Sequence, residues 1–99
     1  MVISEKPFEV IGDEAFEKAR GFVNSSNLII DSGFPVGSLN KRNLDLALLA
    51  LKHGKKVYTL RDEASCREIY GEQSRDSIIC CKNTGELFHQ ISPVLVKAV

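Results

Sequence analysis

"NLIIDSGFPVGSLNKRNLDLALLALKHGKKVYTLR", residues 27–61, contains the unit from which the rest of the fold follows. Residues 27–31, "NLIID", form an apolar run ending in an acid, as a strand covered on both faces requires. From Asn43 to Gly54 the period changes. Leu44, Ala47, Leu48 and Leu51 fall at i, i+3, i+4 and i+7, the stripe of an amphipathic helix, and Gly54 supplies its stop. "KKVYTLR" (55–61) returns to β-branched and aromatic residues and reads as another strand. Strand, helix and strand in this order make a right-handed crossover between parallel neighbours.

The same alternation extends outward. On the N-terminal side, "FEVIG" (8–12) reads as a short strand. "DEAFEKARGFVNSS" follows as a helix opened by acids, with Ala15, Phe16, Ala19, Phe22 and Val23 on its apolar side. On the C-terminal side, "DEASCREIYG" is a short helix capped by Asp62 and closed by Gly71, and "DSIICCK" (76–82) is a fourth strand. Thr84 is placed to cap a last helix from about residue 85. Its apolar stripe is Leu87, Phe88, Ile91, Leu95 and Val96, and Pro93 should kink or restart it near Ser92. Residues 1–99 therefore read as one small three-layer α/β domain, with four parallel strands and helices on both faces.

Composition narrows the function. The 13 basic residues balance the 13 acidic ones, and no run of like charge offers a footprint for nucleic acid or an acidic membrane. The start "MVISEKPFEV" lacks a signal-peptide core, and nothing approaches the ~20 apolar residues of a membrane span. A cytoplasmic location without direct membrane insertion is the expectation. Cys66, Cys80 and Cys81 make an odd set without CxxC spacing. The neighbours Cys80 and Cys81 must face opposite sides of a strand, so a disulfide framework or four-ligand zinc site fits poorly. Small buried apolar residues are the simplest reading of the three, and a redox role is the alternative.

The loop "DSGFPVGSLNKRN" (31–43) stands where parallel sheets bind ligands, beyond a strand's carboxyl end and before a helix with unpaired amides. Gly33 and Gly37 allow positive φ or a close backbone approach. Pro35 stiffens the turn between them, Asn40 or Asn43 can cap the helix, and Lys41 and Arg42 place positive charge near its amides. Asp31 is either an acceptor for a ribose or amine, or the anchor of an Asx turn. The loop is longer than the usual 2 to 6 residues of such connections. It nevertheless lacks both GxGxxG and GxxxxGK[ST] spacing. Elsewhere His53 reads as a helix C-terminal residue and His89 has no second ligand at metal spacing. Glu14, Glu17, Lys18 and Arg20 form a solvated face, and no catalytic constellation emerges. Leu46, Leu49 and Ala50 lie off the stripe of the leucine-rich helix. That helix is therefore either pinched between neighbours or joined to a partner, with Leu44 to Leu51 as the candidate homodimer surface.

Residues 14–62 also carry a familiar pattern, D-x-x-F-P-x-G-x-x-N-x-x-N followed by GKxVY, on Asp31, Phe34, Pro35, Gly37, Asn40, Asn43, Gly54, Lys55, Val57 and Tyr58. It resembles the C-terminal accessory domain of ABC-transporter ATP-binding subunits of the corrinoid and iron-siderophore uptake type, a Rossmann-like domain. The resemblance implies a chain that is the C-terminal part of a longer ATPase subunit, which would explain the missing Walker motif. It also implies a non-catalytic module that senses a small molecule, a corrinoid or a nucleotide, or that contacts transporter subunits. The ligand would be held by Asp31, Gly33, Pro35, Gly37, Asn40, Lys41, Arg42 and Asn43. The pattern is similar as well to Rossmann-like nucleotide and sugar-phosphate enzymes of the deoxyribosyltransferase or phosphoribohydrolase sort. In that case Asp31 or a nearby glutamate would be nucleophile or base.

Overall fold

A computed structural model describes residues 1–4 and 6–98, with the side chains of residues 39, 73, 74 and 94–98 left aside. The elements in chain order are β1 (Val2–Ile3), α1 (Phe8–Ile11), α2 (Asp13–Ser25), β2 (Ile29–Asp31), α3 (Lys41–Lys52), β3 (Val57–Thr59), α4 (Glu63–Tyr70), β4 (Ile78–Cys80) and α5 (Thr84–Ala98). Short 3-10 segments, Ser38–Asn40 and Glu72–Ser77, precede α3 and β4. The four strands form one parallel sheet in the order β1-β2-β3-β4.

That order fixes the layers. When every crossover steps the same way along a sheet and is right-handed, every crossover helix falls on the same face. Accordingly Ala19 and Val23 of α2, Leu46, Ala47 and Ala50 of α3, and Cys66 and Tyr70 of α4 share one core with Ile3, Ile29 and Val57. Only α5, which follows the last strand, crosses to the other face, where Leu87 and Ile91 pack with Tyr58 and Cys81. Helices thus cover both faces, unequally, and Val2 at the thinly covered edge stays 58% exposed. A monotonic strand order also has no reversal point, the place where a doubly wound sheet opens a crevice between diverging loops.

Three expected strands are present, but the expected first one is not. Residues 8–11 form a single helical turn: Pro7 is its N-cap, the Val10 and Ile11 amides donate to the Pro7 carbonyl, and Gly12 ends it at φ 118°. Its apolar residues do not enter the sheet, and Val10 is 79% exposed. The edge strand is instead Val2–Ile3. It pairs with Ile30 and Asp31 and is too short to leave an alternating pattern.

The buried face of α3 is likewise rotated from the expected stripe. Asn43, Leu46, Ala47 and Ala50 face inward, Leu44, Leu49 and Leu51 pack partly against the core, and Leu48 is 39% exposed. Both stripes have helical spacing, and the polar Asn43 hides the true one from periodicity. α3 is wedged between α2 and the sheet, so most of its apolar circumference is internal.

In α5, Asn83 rather than Thr84 caps the helix. Its Oδ1 accepts from the Glu86 amide at 2.8 Å, while Glu86 accepts from the Lys82 amide at 3.2 Å. The helix runs on through Pro93, with the Ser92 hydroxyl donating to the Phe88 carbonyl at 2.6 Å. Of its expected stripe, Leu87 and Ile91 are buried and Phe88 is exposed, while the side chains of Leu95 and Val96 lie outside the described residues. Asp62 caps α4 by accepting from the Ser65 amide, and Gly71 and Gly54 follow α4 and α3 at positive φ, as expected. Among the described residues no helix is long and apolar enough to cross a membrane.

Candidate functional site

The register places Ile3, Asp31, Thr59 and Cys80 in one row across the carboxyl end of the sheet, all on the face that α4 covers. Two sites of different character lie along this row.

The first is a closed knot around Asp31, which is wholly buried. Its Oδ2 accepts from Arg61 Nε at 2.6 Å, from the Tyr70 hydroxyl at 2.6 Å and from the Thr59 hydroxyl at 3.2 Å. Its Oδ1 accepts from the Gly33 amide at 2.8 Å. Arg61 also donates through Nη2 to the Phe34 carbonyl and lies 4.6 Å above the centre of the Phe34 ring. The Thr59 hydroxyl accepts in turn from the Arg61 amide at 3.1 Å. A buried carboxylate requires a paired charge and hydrogen bonds to both oxygens, and here the folded chain supplies them all. Burial, with the bond to Asp31 and its negative charge, drives the Tyr70 hydroxyl pKa upward and keeps that proton in place.

The second is an open cleft of about 420 Å³ between α4, the turn Glu72–Ser77 and β4. Ile78 and Cys80 point into it from alternate positions of β4, and Cys66 faces it from α4. Charged side chains lie at its walls: Glu63, Arg67, Glu72 and Arg75. Cys66 and Cys80 are free, and their sulphurs are 3.3 Å apart, the Cys80 thiol directed at Cys66. Burial, the contact with Cys80 and the charges of Cys80 and Asp31 push the Cys66 pKa up to about 12. Cys81, on the opposite face, packs beneath α5.

The expected loop residues are dispersed. Asp31 is spent in the knot and anchors an Asx turn through Gly33, whose φ of 90° is the positive value anticipated there. Gly37 is extended at φ −179°, a conformation open to any residue, so the expectation of special backbone geometry holds at Gly33 and fails at Gly37. Asn40 is the N-cap residue of α3 but makes no side-chain capping bond. Asn43 does not cap either. Wholly buried, it donates to the Ser4 and Lys6 carbonyls, both at 2.9 Å, and accepts from the Phe8 amide at 3.1 Å, bracing the chain that enters α1. Arg42 turns away toward Asp13 at 2.5 Å and the Phe16 ring, and its amide is taken by Glu9 at 2.7 Å rather than left for an anion. Pro35 and Lys41 are exposed, and among the described residues of 31–43 none lines the cleft.

Sequence reasoning missed Arg61, Tyr70, Arg67 and Arg75, and it took Cys66 and Cys80 for small buried apolar residues, with a redox role as the alternative. One signal for Arg61 was available. An acid ending an interior strand needs a cation, and Arg61 is the first one past the end of the adjoining strand. Among the described residues no group of three or more His, Cys, Asp or Glu is arranged to hold a metal ion.

No solved structure matches the chain. A protein of Methanocaldococcus jannaschii, named uncharacterized protein MJ0874, is 30% identical over 64 residues, covering 65% of this chain and 69% of that one. Residues 1–88, from the edge strand through the first turn of α5, match the MJ0874 family, and the chain belongs to that family.

Proposed function

We propose that this domain is a non-catalytic small-molecule-binding module whose ligand occupies the cleft between α4, the turn Glu72–Ser77 and β4. The observation that carries this reading is the cleft itself. Its volume of about 420 Å³ lies in the range of ligand sites, and it joins an apolar floor of Ile78, Cys66 and Cys80 to two arginines and two glutamates. Its lining includes Cys66, a titratable group whose proton burial holds in place.

A nucleotide-sized or smaller molecule suits this volume. A corrinoid macrocycle exceeds it and would have to lie across the surface. The resemblance of residues 14–62 to the accessory domain of uptake ATPases supports a module that contacts transporter subunits from the cytoplasmic side, and free thiols fit that compartment. The pattern residues themselves are scaffold: Asp31 knots, Phe34 and Val57 are buried, Asn43 braces, and Lys55 donates to the Val23, Asn24 and Ser26 carbonyls at the end of α2. The enzyme reading takes Asp31 or a nearby glutamate as nucleophile or base, and the four donors around the Asp31 carboxylate oppose the first of these.

A thermal-shift panel of nucleotides, sugar phosphates and corrinoids tests the reading, because a ligand that binds the native state raises its melting point. The expected hit is a nucleotide or sugar phosphate whose shift disappears in Ile78→Trp, which fills the cleft, and weakens in Arg75→Glu. A shift that survives both substitutions moves the site elsewhere.

A further inference from the structure

We propose that Cys66 and Cys80 are a reversible dithiol–disulfide pair that responds to small-molecule disulfides and, when oxidised, staples α4 to β4 across the wall of the cleft. The strand period separates the three cysteines into two environments. Cys81 goes beneath α5, while Cys80 turns to the α4 face and meets Cys66 there. The two sulphurs, 3.3 Å apart, need to approach by only about 1.2 Å to reach bonding distance. Packing alone would explain one buried thiol, but here the second is half-buried and both line an open cleft through which a reagent can arrive. Cys80, the more exposed, is the entry thiol. Cys66, buried on α4 with its proton held by that burial, is the resolving one.

The exchange balances without any other redox partner. The Cys80 thiolate attacks one sulphur of a small-molecule disulfide, forms a mixed disulfide and releases one thiolate, which takes up the proton that Cys80 gave up. Cys66 then loses its proton and attacks the Cys80 sulphur, expelling the second small thiolate, which is protonated in turn. The protein dithiol loses two electrons and two protons, and one disulfide becomes two thiols. This inference goes beyond ligand binding and requires only that the cleft admit the reagent.

The test places the reduced chain of residues 1–99 in buffers of graded oxidised to reduced glutathione, blocks remaining thiols under denaturing conditions, and reads intact mass and peptide maps. The expected product is an intramolecular Cys66–Cys80 link, about 2 Da lighter, that a dithiol reductant reverses. Cys81 should remain open to blocking, and Cys81→Ser should behave identically. Cys66→Ser should stop at a glutathione adduct on Cys80. Three outcomes would overturn the proposal: a wild-type chain that halts at the adduct, a link that includes Cys81, or links that form only between chains.

Discussion

The closed knot and the open cleft share one row of the sheet, Asp31 and Thr59 in its middle and Cys80 at one end, yet they use side chains in opposite ways. At Asp31 every donor within reach is committed to the carboxylate, leaving no capacity for a ligand. At Cys80 the packing stops short, and charged side chains stand around unfilled space. Polar residues close to a strand end therefore signal function only when the fold leaves them something to bind. Here an aspartate that looks reactive holds the frame, and the open space lies beside two thiols and an isoleucine.

The largest expected effect comes from removing the centre of the knot. Asp31→Ala leaves the Arg61 guanidinium and the Tyr70 hydroxyl buried without their acceptor, and losing one partner of a buried pair costs about 3 to 5 kcal/mol. With the total stability of such a domain on the order of 5 to 15 kcal/mol, urea titration should show a greatly lowered midpoint. A variant of unchanged stability that loses ligand binding would reverse the comparison and return Asp31 to the functional side.

Asn43→Ala comes next. It strands the Phe8 amide and two carbonyls, and should cost about 2 to 3 kcal/mol. Amide exchange should quicken at Phe8 first, because this one side chain ties Ser4, Lys6 and Phe8 to α3.

A smaller, pH-dependent effect joins the two regions through α4, where Cys66 and Tyr70 stand one turn apart. Tyr70→Phe removes one donor to Asp31 and should cost about 1 to 2 kcal/mol. Cys66 ionises near 9.0 in the unfolded chain but near 12 in the fold, where burial first, and then Cys80 and Asp31, oppose its negative charge. Its neutral form is thus favoured by folding. The contribution is intact below pH 9.0 and is lost as pH rises toward about 12, with Tyr70 acting in the same direction from 10.0 upward. Urea midpoints should fall across this window, and less steeply in Cys66→Ser.

How far the sequence could be read follows from the same contrast. The apolar run that enters β2, the leucine-rich helix and the β-branched β3 announced a parallel crossover because each buries enough side chains to leave its pattern in the sequence. Val2–Ile3 could not, since two residues carry no period, and "FEVIG" imitated a strand because Phe8 and Val10 alternate even within one helical turn. The site was harder. Cys66 and Cys80 are 14 residues apart in the chain and meet only because α4 folds back over β4, a contact that no local spacing encodes. Asp31 was visible as an acid at a strand end, but its partners Arg61 and Tyr70 come from segments paired or packed with it only in three dimensions.

The smallest effects distinguish the two glycines of the loop. At Gly33 an added Cβ meets no atom within 4 Å, so the cost of Gly33→Ala is purely conformational. At φ 90° that cost should be about 1 to 2 kcal/mol, and the Asx bond from its amide to Asp31 should loosen with it. At Gly37 the backbone is extended, and a Cβ would lie 3.8 Å from Asn40 Oδ1, an ordinary contact. Gly37→Ala should therefore change stability by no more than about 0.5 kcal/mol, in the stabilising direction, because alanine restricts the unfolded chain. Chemical denaturation of the two variants side by side provides the measurement. Equal losses would mean that the turn is held along its whole length, whereas a loss at Gly33 alone ties the loop to the knot and leaves the tip beyond Phe34 free of structural demand. A ligand whose affinity fell in Gly37→Ala without any loss of stability would place a second contact at that tip, outside the cleft.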